Sequence, residues 1–219
     1  MFFVLLAAGC GGSKPPGAAS RTVLDDAVVS SPAPRDDRPI ILAFGDSLTA
    51  GSGLPSGAGY PEMLQKDLDN RGYKYHVVNA GIGGDTTGGG VARLQSGLAL
   101  HPEIVVLELG GNDGLRGFPI ESMQSNLDEL IVRFKEGGAR VILAGMSLPR
   151  NFGPDYIGTF EKVYPALAAK HKVALIPFFL EGAAGKPELN LEDGIHPNER
   201  GYRFVVANVL KVLEPMLKK

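Results

Sequence analysis

Apolar residues in this chain gather into short continuous runs, separated by longer stretches where they return every three or four positions. Ile40-Ile41-Leu42-Ala43-Phe44 is the first run, closed by Gly45, and others fall at Tyr75 to Val78, Ile104 to Leu109, Val141 to Ala144 and Val173 to Pro177. A run without alternation predicts a strand covered on both faces, as in parallel sheets flanked by helices. Between the runs, Pro61 to Leu68 places Met63, Leu64 and Leu68 near one face, after a proline suited to a first helical turn. Further helices are predicted over roughly Val91 to Leu100, Ile120 to Glu136, Phe160 to Ala169 and Asn198 to Leu217. Five buried strands alternating with helices imply an α/β fold, a three-layer, doubly wound parallel sheet with right-handed crossovers. Such sheets bind ligands beyond the carboxyl ends of their strands, so the chemistry is sought in the segment just after each run.

Upstream of Pro39 the texture changes. Gly11 to Arg38 is rich in Gly, Ser and Pro and reads as a flexible tether to a domain spanning residues 39–219. The first nine residues are apolar and end in small side chains, as in a secretory signal, and are too few for a membrane span. Leu6-Ala7-Ala8-Gly9-Cys10 resembles the bacterial lipobox, which implies lipidation of Cys10, association with a membrane through that lipid, and residence at the cell envelope. The length of 219 residues, with 44% hydrophobic content, suits one ordinary α/β domain plus tails. A formal net charge of −2 with no basic cluster argues against a nucleic-acid partner. A single cysteine excludes an intrachain disulfide and a Cys-rich zinc site.

Four of the five runs open into polar or Gly-rich segments: Gly45-Asp46-Ser47-Leu48, Asn79 to Asp85, Gly110-Gly111-Asn112-Asp113 and Ser147-Leu148-Pro149. Glycines there let the chain turn sharply and let amide N–H groups face an anionic oxygen. Taken alone, Ser47 reads as a helix N-cap. Near the C-terminus, however, stands Asp193-Gly194-Ile195-His196-Pro197-Asn198. A carboxylate three residues before an imidazole can accept its Nδ1–H and leave Nε2 to take a proton from a hydroxyl, which a serine nucleophile requires. The same spacing also occurs in plain surface pairs. Of the four histidines, His76, His101 and His171 sit in structural or solvated contexts. Asn112 is either a turn residue or, with the N–H groups of Ser47 and Gly84, the third donor of an oxyanion hole. Asp46 reads as a brace for its loop.

Gly45-Asp46-Ser47-Leu48, Gly84, Asn112 and Asp193-x-x-His196 resemble, in order, the four motif blocks of the GDSL or SGNH hydrolases. Asn79 to Thr86, Glu108 to Gly117 and Asp193 to Asn198 are most similar to the acyl-CoA thioesterase, protease I, lysophospholipase and arylesterase group. The resemblance implies the flavodoxin-like strand order 2-1-3-4-5. It also implies Ser47 as nucleophile, Asp193 and His196 as its partners, the amides of Ser47 and Gly84 with Asn112 as oxyanion donors, and a mobile loop over Gly114 to Phe118. The reaction so implied is acyl ester or thioester hydrolysis, with no metal or organic cofactor.

Leu115, Leu148, Pro149 and Phe178 are candidates to line an acyl pocket, although phenylalanines after a strand more commonly belong to a core. Three other readings compete. A conventional α/β-hydrolase elbow needs Gly-x-Ser-x-Gly, and the fifth position here is Thr49. A nucleotide- or flavin-binding module would use the glycines of Gly81 to Gly90, which lack the phosphate-loop ending and the dinucleotide spacing. A carbohydrate O-deacetylase would share the motif blocks and differ in substrate.

Overall fold

The computed structural model describes residues 36–219; the signal, Cys10 and nearly all of the tether lie outside the described residues. Five strands, β1 (Ile40–Gly45), β2 (His76–Gly81), β3 (Ile104–Glu108), β4 (Arg140–Ala144) and β5 (Ala174–Ile176), form one parallel sheet in the order 2-1-3-4-5. The central strands β1, β3 and β4 are buried almost throughout, whereas β2 and β5 sit at the edges and are half-buried. The strand after Tyr75 is thus less covered than its apolar run implies. It also extends through Asn79-Ala80-Gly81, because those residues find partners in Ala43, Phe44 and Gly45.

Among the described residues eight α-helices fill the connections and follow the last strand: α1 (Ser47–Ala50), α2 (Tyr60–Asn70), α3 (Thr87–Ala92), α4 (Leu94–Leu98), α5 (Gly111–Leu115), α6 (Ile120–Glu136), α7 (Pro154–His171) and α8 (Glu199–Leu213). α2 packs against α8, and α6 packs against both α3 and α7, so the sheet is covered by two separate helical groups. α6 turns Met123, Leu127, Leu130, Ile131 and Phe134 inward at helical spacing, and the Phe134 ring meets Phe44 of β1 edge-on at 5.2 Å. Full burial of each such side chain contributes roughly 1.5–3 kcal/mol, which fixes the sheet beneath its loops.

Three boundaries differ from the sequence expectation. The helix expected over Val91 to Leu100 is two short helices that break at Arg93, whose φ of −104° and ψ of 8° leave the α region. α7 begins six residues before Phe160, because Pro154 occupies a first-turn position where its missing N–H costs nothing. α8 stops at Leu213 and continues as a 3-10 turn over Glu214–Met216. Among the described residues no helix is long and apolar enough to cross a membrane.

Candidate active site

β1 delivers Asp46 and Ser47 to the carboxyl edge of the sheet. Asp46, not Ser47, caps α1: its Oδ1 accepts the Leu48 N–H at 3.0 Å. That arrangement releases the Ser47 hydroxyl from any capping duty. The turn is tight enough that a Cβ on Gly45 would lie 2.1 Å from Thr49 Oγ1 and 2.6 Å from the Glu108 carbonyl oxygen, so only glycine fits there.

The histidine arrives from the far end of the chain on a loop that is clamped shut. Asn190 and Pro197 form an antiparallel bridge, Leu191 N–H donates to the His196 carbonyl at 2.8 Å, and Asn198 N–H donates to the Leu189 carbonyl at 3.0 Å. Asn198 then caps α8 by accepting the Arg200 and Gly201 N–H groups. Within the loop, Asp193 Oδ1 accepts the N–H groups of Ile195 and His196, while its Oδ2 takes the His196 Nδ1–H at 2.7 Å. Partial burial pulls the Asp193 carboxyl upward, but the His196 and Ile195 N–H groups and the imidazole outweigh it and hold the carboxyl at about 2. It is therefore charged at any ordinary pH. With Nδ1 donating, Nε2 is the acceptor, and it lies 2.8 Å from Ser47 Oγ. Tyr202 of α8 donates from its buried hydroxyl to the Leu48 carbonyl at 2.9 Å, tying α1 to the helix that follows the histidine.

The candidate oxyanion donors differ in what already engages them. Among the described residues nothing accepts the N–H of Ser47 or of Gly84, the latter held at a φ of +75° that favours glycine. Arg116 closes over this loop and donates to the Gly84 carbonyl at 2.7 Å. Asn112 lies on α5, so the simple turn-residue reading does not describe it. Its side chain departs from the expectation in another way: Nδ2 already donates to Asp46 Oδ2 at 3.0 Å and to the Asp85 carbonyl at 2.9 Å. Both amide hydrogens are engaged, and one must swing or share to meet a new oxygen.

The candidate pocket residues are spread over different environments. Leu148 is buried and packs with Phe160 against Gly114 of α5; Leu115 and Phe178 are half-buried, and Pro149 is exposed. The other histidines stand elsewhere, His76 beside Asp36, His171 beside Asp128 and His101 exposed. Among the described residues no group of three or more His, Cys, Asp or Glu is arranged to hold a metal ion.

Three supporting residues escape motif reading. Glu108 ends β3 fully buried, and its Oε2 accepts the Thr49 hydroxyl at 2.8 Å and the Asp46 N–H at 3.3 Å. Tyr202 and Arg93 complete the set. Two had a signal in the sequence, since Glu108 is a carboxylate inside an apolar run and Arg93 a cation within an apolar helical pattern. Burial, and then the neighbouring Asp46 charge, push the Glu108 carboxyl well above its ordinary range, and burial likewise raises Asp46 to about 6. Asp46 receives donors on both oxygens, whereas Glu108 Oε1 has no partner among the described residues. The upward push is therefore stronger on Glu108, the carboxyl whose donors all face one oxygen.

Stability responds to pH accordingly. A carboxyl whose folded pKa is raised holds its proton more tightly when folded, so its contribution favours the fold at low pH and is lost as pH rises through the folded value. For Asp46 that window runs from 3.8 to about 6, and for Glu108 it starts at 4.5 and extends higher. Glu108→Gln mimics the neutral acid at every pH. Its melting temperature is expected to match the wild type near pH 4.5 and to exceed it by roughly 2–8 °C at pH 8. Parallel melting curves across that range, with no widening gap, would show that Glu108 is charged in the fold.

Comparison with known proteins agrees with the architecture. Residues 43–204 match the model of the GDSL-like lipase/acylhydrolase family. The chain is 47% identical over 178 residues to the esterase TesA of Pseudomonas aeruginosa, covering 81% of this chain and 89% of that protein. It is 40% identical to thioesterase 1/protease 1/lysophospholipase L1 of Escherichia coli, covering 81% of this chain and 84% of that protein. The crystal structure of TesA superposes with a TM-score of 0.79 over 81% of this chain and 99% of its own. A family match over most of the described domain, relatives at this identity and the shared sheet order lead to one assignment: the chain belongs to the GDSL-like lipase/acylhydrolase family and is a carboxylic ester hydrolase.

Proposed function

We propose that the protein is a serine esterase and thioesterase that cleaves arylesters, lysophospholipids and acyl thioesters through an acyl-enzyme on Ser47. The observation that carries this reading is the 2.8 Å contact between Ser47 Oγ and His196 Nε2, two residues 149 positions apart. Ser47 Oγ attacks the acyl carbonyl carbon as its proton passes to Nε2, and the imidazolium so formed is stabilised by Asp193. The carbonyl oxygen, now an anion, takes hydrogen bonds from the Ser47 and Gly84 amides. Asn112 Nδ2 joins them by turning one hydrogen from the neutral Asp85 carbonyl to the charged oxygen, which is the stronger acceptor. The alcohol or thiol leaves with the proton from His196. A water, deprotonated by the same imidazole, then attacks the acyl-serine and releases the acid.

Leu115 at the end of α5 and Leu148 packed against that helix, with Phe178 beyond β5 and Pro149 on the surface between them in sequence, are proposed to receive the acyl chain. The lipobox-like sequence ending at Cys10 supports lipid anchoring and a place at the bacterial cell envelope. The test is a panel of p-nitrophenyl acetate, octanoate and palmitate, a lysophospholipid, an acyl-CoA and an acetylated xylo-oligosaccharide, with labelling of Ser47 by a fluorophosphonate. Labelling at Ser47 with highest kcat/KM on a medium or long acyl chain is expected. Preference for the acetylated sugar would replace this substrate class with carbohydrate deacetylation, and an unlabelled Ser47 would overturn the mechanism.

A further inference from the structure

One side chain joins three segments of the site without a hydrogen bond to Ser47, Asp193 or His196. Arg93 stands at the break between α3 and α4, with its side chain only 16% exposed. Its Nε donates to Asp85 Oδ2 at 2.7 Å, Nη1 to the Ala80 carbonyl at 2.8 Å and Nη2 to the Gly45 carbonyl at 2.9 Å. The guanidinium carbon also lies 3.8 Å from the centroid of the Phe44 ring. Each acceptor belongs to a segment that delivers a different site residue. Gly45 is the residue before Asp46-Ser47, Ala80 lies on β2 four residues before Gly84, and the Asp85 carbonyl holds Asn112 Nδ2. Close approach is built in, since a Cβ on Gly89 would fall 1.8 Å from Asp85 Oδ1.

We propose that Arg93 is a positioning residue of ester hydrolysis, setting the distance between the nucleophile turn and the oxyanion-donor loop through its fork onto Gly45, Ala80 and Asp85; this rests on the serine-esterase reading above. A guanidinium suits the task because its donors are fixed in one plane and three acceptors can be held at set angles, which an ammonium cannot do. The oxyanion is absent from the bound ground state and forms only as the barrier is climbed, so loosening its donors raises the barrier without weakening ground-state binding. A buried ion pair that served the fold alone would lower melting temperature and leave the turnover of folded molecules unchanged.

The experiment compares wild type, Arg93→Lys, Arg93→Met, Asp85→Asn and the Arg93→Met/Asp85→Asn double variant on p-nitrophenyl butyrate, well below each melting temperature. Concentrations are set by fluorophosphonate titration of reactive Ser47, so that unfolded molecules do not count. Arg93→Met is expected to lose roughly 10–100-fold in kcat per titrated site with KM within about twofold. Arg93→Lys should recover part of that loss. Because Arg93 acts through Asp85, the losses of the two single variants should add to more than the loss of the double variant. A kcat per titrated site within about twofold of wild type in Arg93→Met would overturn the proposal. Should that variant fail to fold, the same result in Arg93→Lys would overturn it. A wild type whose Ser47 does not react would remove the esterase mechanism and this inference together, whereas a reactive Ser47 with unchanged Arg93 variants would remove the inference alone.

Discussion

Ser47→Ala is expected to fold as the wild type does and to lose roughly 10⁵–10⁶ in kcat on any ester that the wild type turns over. The size of the loss reflects what the hydroxyl does. Without Oγ no acyl-enzyme forms, and what remains is attack by water beside the oxyanion donors, which still outpaces solution but slowly. The small effect on stability reflects its surroundings. Ser47 is only half-buried, Asp46 supplies the helix cap, and the hydroxyl's bond is to His196, which can turn to solvent. Removing it leaves no buried group stranded, so the melting temperature should move by less than about 2 °C. Because the hydroxyl and imidazole work as one unit, the Ser47→Ala/His196→Ala pair should be no slower than Ser47→Ala alone. Steady-state rates on p-nitrophenyl butyrate and a melting curve check both halves. Activity of Ser47→Ala within tenfold of wild type would mean that another group attacks the ester.

The residues proposed to react stand out in the chain because each needs a chemistry its neighbours reveal. Asp193 and His196 are three positions apart, and that spacing alone lets one carboxylate hold both the backbone and the ring of the histidine. The sheet was legible for a similar reason: apolar runs closed by glycines read directly as covered parallel strands, and the central ones are covered. What could not be read is whatever depends on a partner far along the chain. Nothing local to Glu108 says that Asp46 and Thr49, about sixty positions earlier, lean on its carboxyl. Nothing local to Arg93 says that it will hold the carbonyl of Gly45. The short helices α1 and α5 were missed because neither has the length for an apolar period. They exist because strand ends and packing from above hold them, with the Asp46 cap and Tyr202 on Leu48 for one and Leu148 with Phe160 on Gly114 for the other.

Asn112 is where the structure changes what should be measured. A free amide aimed at the oxyanion would make Asn112→Ala a simple loss of one donor, costing roughly 10²–10³ in kcat with KM nearly unchanged. Here the amide also bridges Asp46 and the Asp85 carbonyl, so its removal takes away two partly buried hydrogen bonds and about 1–3 kcal/mol of stability. A lower melting temperature is therefore expected in Asn112→Ala and does not argue against the catalytic role. The deciding quantity is kcat per titrated Ser47, taken well below the melting point. Asn112→Asp sharpens the comparison, because it has nearly the same shape but, when ionised, sets a negative charge against both Asp46 and the forming oxyanion. It should turn over more slowly than Asn112→Ala even though it fills the same space. If instead both variants match wild type once corrected for the folded fraction, the amide belongs to the scaffold, and the oxyanion is served by the two backbone N–H groups alone.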